Sequence, residues 1–78
     1  MSNYDKEEKY RTIRNGLKKL GLNIKEGKHH ITATCPKTDE KTTLPRHTPV
    51  GKYIVGSICN FLLENGYDDT EIRKAFKW

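Results

Sequence analysis

The sequence contains no run of about 18 apolar residues, the length a helix needs to cross a bilayer, so no membrane span is expected. It carries no signal-peptide pattern, which points to a soluble protein of the cytoplasm. Cysteine is scarce, with only Cys35 and Cys59. They fall in different expected elements, each beside apolar residues, so buried free thiols are expected rather than a disulfide scaffold. There is no Cys-x-x-Cys and no close Cys/His pair. Cys35, His47, Cys59 and the adjacent His29 and His30 could in principle supply four ligands. Their spacing does not read as a zinc site, and no metal or other cofactor is expected. Internal repeats are missing, and so are long low-complexity tracts, which argues against wholesale disorder.

What remains is a small basic chain. Its 78 residues allow one domain, 1–78, and 33% apolar content suits one sheet layer under one helix layer. The net charge of +5 is unevenly spread. Residues 1–27 carry seven Lys/Arg against four Asp/Glu, and 28–52 carry five against two. Residues 53–78 carry three against four. The basic excess thus accompanies the paired histidines, as a polyanionic partner would require.

Periodicity predicts an α/β (α+β) domain. Tyr10, Ile13, Leu17 and Leu20 recur three and four residues apart, giving a helix over 5–20 that Gly21 stops. Asp5, Glu7 and Glu8 are placed in its first turns, and Gly16 is read as a close approach to the sheet. A short strand over 22–24 leads to the turn at Glu26-Gly27. Alternation over 29–35 puts Ile31, Ala33 and Cys35 on one face and His30, Thr32 and Thr34 on the other. A returning strand over 40–44 ends at Pro45. Ile54, Val55, Ile58, Phe61 and Leu62 form the stripe of a second helix closed by Asn65-Gly66. Asp68-Asp69-Thr70-Glu71 reads as a capping box opening a short helix to Phe76. The expected order is helix, three antiparallel strands, helix, then the extra helix, with one sheet face left open.

Gly27-Lys28-His29-His30 is the segment richest in chemistry. Histidine exchanges protons near neutral pH, and a neighbouring glycine lets a phosphate approach the backbone. A second segment, Thr43-Leu44-Pro45-Arg46-His47, follows at the end of the third strand. In order and spacing the two segments resemble the HicA family of toxins from prokaryotic type II toxin–antitoxin systems. Gly27-Lys28-His29-His30 corresponds to the family's glycine-serine-histidine segment, and Thr43–His47 to its threonine-valine-proline-arginine-histidine segment. The likeness spans about residues 10–66. Lys28 stands where the family has serine, and residues 68–78 extend past its final helix.

The resemblance implies a fold like the double-stranded-RNA-binding domain, metal-free endoribonuclease cleavage of messenger RNA, and neutralisation by a HicB-like antitoxin. The family's catalytic histidine lies two or three residues after the glycine, which is His29 or His30 here. Gly27, Lys28, Arg46, His47 and Lys52 are the expected RNA-binding residues. Lys28, or Arg46 if the fold brings it nearby, would offset charge at phosphorus, with the Gly27 N–H helping. A non-catalytic RNA-binding module would suit the same fold and charge. Against it stands the lack of a lysine cluster at the second helix, where Lys52 is alone. A protein that binds a partner through an exposed sheet edge is the third reading.

Overall fold

Ile13 and Leu17 lie one turn apart on an amphipathic segment, and both are fully buried on helix α1 (Tyr10–Lys19). In the computed structural model, which describes Tyr4 and residues 6–78, α1 is followed by three strands and two further helices. The strands are β1 (Asn23–Glu26), β2 (His30–Thr34) and β3 (Lys41–Pro45), and the helices are α2 (Lys52–Glu64) and α3 (Asp69–Phe76). The fold is α+β, with three helices and an open three-stranded antiparallel sheet in the order β1-β2-β3.

Helix α1 starts later than periodicity suggests. Glu8 is held in extended backbone by an isolated bridge to Val50, donating to its carbonyl and accepting from its N–H at 3.1 and 2.7 Å. Its carboxylate accepts from the Trp78 indole N–H and the Lys9 amide. Glu7 and Glu8 therefore lie outside the helix, and Asp5 lies outside the described residues.

The stops of α1 and α2 match the sequence. Gly21 and Gly66 adopt φ of +92° and +94°, a region that only glycine enters freely. The next residue then donates back to the helix, Leu22 to the Leu17 carbonyl and Tyr67 to that of Leu62. At α3 the capping box is complete: Glu71 N–H donates to Asp68 Oδ1 at 2.8 Å, and Asp68 N–H donates to Glu71 Oε1 at 3.1 Å.

The sheet register fixes what each face shows. Ile31 pairs with Leu44 and Ala33 with Ile24, so these residues share the covered face. Helices α1 and α2 pack on that face, and α3 packs on α1 and α2. Ile31 and Ile58 belong to one core with Ile13, Leu17, Leu44 and Phe76. Burying each such side chain contributes about 1.5–3 kcal/mol. Both thiols are free and buried, and burial pushes that of Cys59 up to about 12. Among the described residues no helix is long and apolar enough to cross a membrane.

Candidate functional site

The paired histidines form one end of the β1–β2 hairpin. Glu26 pairs with Ile31, and the Gly27 N–H donates to the His30 carbonyl at 2.8 Å, leaving Lys28 and His29 at the turn. A Cβ on Gly27 would lie 2.9 Å from that carbonyl oxygen, so glycine is required by close approach. The same bond answers one expectation from sequence. The Gly27 N–H is spent inside the hairpin and does not point at a ligand.

Arg46 closes the turn from the end of β3. Its Nη1 donates to the Gly27 carbonyl at 2.8 Å, and its backbone N–H donates to the His29 carbonyl at 3.0 Å. Nη2 lies 3.7 Å from Glu26, whose other carboxylate oxygen is 3.0 Å from Arg14 of α1. Arg46 thus anchors the histidine turn to the rest of the domain. Much of its donor capacity is turned inward, and its side chain stays 41% exposed.

Lys28, His29 and His30 are all exposed. His29 sits in the turn, while His30 opens β2 opposite Pro45. Strand alternation gives His30 the open sheet face together with Thr32, Thr43, Lys25 and Lys41. Most of that face lines a shallow depression of about 470 Å³, with lysine ammonium groups and threonine hydroxyls along it. Such a face offers cations and hydroxyl hydrogen-bond donors.

The fold brings Gly27, Lys28, His29, His30 and Arg46 together. His47 is exposed in the bend after Arg46. Lys52 does not join this group. It lies at the start of α2 in a separate cleft with Lys41 and Tyr53, and Lys41 is at the end of β3 remote from Pro45. Tyr53 is the residue that sequence reading passed over. Its signal was available, since it falls outside the apolar stripe of α2.

Chemically, the turn holds two imidazoles able to exchange protons, with one lysine at hand and an arginine bracing the backbone. Among the described residues no group of three or more His, Cys, Asp or Glu side chains is placed to hold a metal ion. No family model, curated protein or solved structure matches the chain.

Proposed function

We propose that this protein is a HicA-like toxin, an endoribonuclease that cuts messenger RNA in the cytoplasm with histidine and no metal. The observation that carries this reading is the turn itself: two exposed imidazoles on a hairpin clamped by Arg46 through the Gly27 carbonyl. The segments that resemble the HicA family meet there, since Gly27–His30 and Thr43–His47 are joined by the β2–β3 register. The order of α1, three strands and α2 is also that of the double-stranded-RNA-binding domain.

RNA carries its own nucleophile. One imidazole, neutral, takes the proton of the 2′-hydroxyl, and the oxygen attacks the adjacent phosphorus. The bond from phosphorus to the 5′-oxygen breaks, and an imidazolium protonates that oxygen as it leaves. The products are a 2′,3′-cyclic phosphate and a 5′-hydroxyl. Lys28 offsets the charge that gathers on the phosphoryl oxygens. Because the Gly27 N–H is engaged, Lys28 carries this task without it.

A nuclease of this kind needs an inhibitor in its own cell, and a HicB-like antitoxin covering the turn fits that need. A stable complex buries about 1,200 Å² or more in total. Acidic groups of the inhibitor would face Lys28, so Lys28→Glu should slow association and flatten its salt dependence.

End-group analysis tests the chemistry. Cleaved RNA should carry 2′,3′-cyclic phosphate and 5′-hydroxyl ends, and a 2′-deoxy nucleotide at the cut site should abolish cleavage there. Ends bearing 5′-phosphate would exclude this mechanism. RNA bound but never cut would favour the non-catalytic RNA-binding module.

A further inference from the structure

Tyr53 is 83% exposed, whereas every other aromatic side chain is buried or half-buried. Helix α2 packs through Val55, Ile58 and Leu62, so the Tyr53 ring is not used by the core. The ring lies beside a cleft of about 670 Å³ between α2 and the edge strand β3. That volume falls within the roughly 300–1,000 Å³ typical of ligand clefts.

The walls of the cleft mix aromatic rings, Tyr53 and Phe61 among them, with polar groups. Asn60 and Ser57 are exposed on α2, and Lys41 and Lys52 flank the opening against the single carboxylate of Glu64. The Lys52 ammonium sits 5.6 Å from the centre of the Tyr53 ring. Lys41 also lines the depression on the open sheet face. It therefore joins the cleft to the face that bears His30. Lys41 lies four residue steps along β3 from Pro45, the partner of His30, a span of roughly 13 Å at strand rise.

We propose that this cleft is a nucleobase subsite, in which a base of single-stranded RNA stacks on Tyr53 while the cut strand lies across the open sheet face. The assignment rests on the ribonuclease reading above. Bases stack on exposed aromatic rings whatever their identity, and single-stranded RNA is commonly recognised in this way. The Asn60 amide and the Ser57 hydroxyl supply donors and acceptors for the base edge. Lys41 holds a phosphate between the subsite and the histidine turn, so the strand bridges the two features along one path.

The test is binding of a labelled 2′-O-methyl RNA oligonucleotide, which cannot be cut because its 2′-oxygen has no proton to lose. Tyr53→Ala should weaken binding about five- to hundredfold, the loss of one stacked base. Tyr53→Phe should keep the parent affinity, and Asn60→Ala should weaken binding at the same oligonucleotide position. Removing the base at that one position should make the parent and Tyr53→Ala bind alike. Equal affinity of the parent and Tyr53→Ala for the intact oligonucleotide would overturn the subsite and leave the ribonuclease reading standing. Tyr53→Ala lowering only the affinity of a protein inhibitor would overturn it in favour of a protein-docking ring. Failure of the parent to bind any RNA would overturn both.

Discussion

Arg46 and Gly27 are 19 residues apart in sequence, yet the guanidinium of one donates to the carbonyl of the other at 2.8 Å. Replacing Arg46 with alanine should therefore loosen the turn that carries the histidines without unfolding the domain. Exposed ion pairs such as Arg46–Glu26 contribute roughly 0–1 kcal/mol, so the unfolding midpoint should barely move. Cleavage should fall by about ten- to hundredfold through misplacement of the imidazoles. Hydrogen exchange at the Gly27 amide should quicken in the same variant. An unchanged cleavage rate with faster exchange would show that the clamp is irrelevant to chemistry.

Gly16 of α1 packs against the ring of Phe76 on α3, so that a Cβ at position 16 would overlap the ring carbons. Alanine there gains helix propensity of about 1 kcal/mol but must displace a buried ring. Phe76 in turn packs against Trp78 with ring centroids 5.1 Å apart, so it cannot simply retreat. Gly16→Ala should cost about 1–3 kcal/mol net in denaturant titration. Adding Phe76→Leu should recover part of the loss. A neutral or stabilising Gly16→Ala would contradict the packing described.

Tyr4 donates to Asp69, and the pair predicts a pH response at both extremes. Burial, then the hydrogen bond and charge of Asp69, push the Tyr4 hydroxyl up to about 12. A folded-state pKa above the unfolded one stabilises below the ordinary tyrosine value of about 10, and the gain is lost as pH rises through it toward 12. Asp69 runs the other way. The Tyr4 hydrogen bond, helped by Arg73, holds its carboxyl below the usual range. Its contribution is present above about pH 4 and disappears as pH falls through the depressed folded value. Urea midpoints measured across pH should lose part of both slopes in Tyr4→Phe. Parallel curves for the two proteins would refute the coupling.

The elements that sequence made legible are those fixed by local chemistry. The stripe of α2, the alternation of Ile31, Ala33 and Cys35, the Gly21 and Gly66 stops and the Asp68–Glu71 capping box each depend on residues within a turn or two. What was not legible depends on distant partners. Helix α1 starts later than periodicity suggests because Val50 and Trp78 claim Glu8 from remote positions. Gly16 makes the close contact its place in a helix suggests, but its partner is Phe76 rather than the sheet. At the candidate site, the grouping of Gly27 to His30 was visible as a motif. The clamp from Arg46 was not, because it needs the β2–β3 register to bring residue 46 beside residue 29. Lys52, expected as an RNA-binding residue, lies in the Tyr53 cleft away from the histidine turn, a placement set by the packing of α2 on β3.

Metal-free RNA cleavage by the His29–His30 turn, as proposed, is tested most directly with a chelator present. Purified protein should be incubated with single-stranded RNA in excess chelator, beside a variant carrying His29→Ala and His30→Ala together. The parent should cleave, and the double variant should be slower by about a hundredfold or more, the contribution of general acid–base catalysis. The single variants then assign the roles, with His29 favoured by its spacing from Gly27 and His30 by its place on the open face. Equal cleavage by parent and double variant, or none by either across a range of RNAs and pH, would contradict the account.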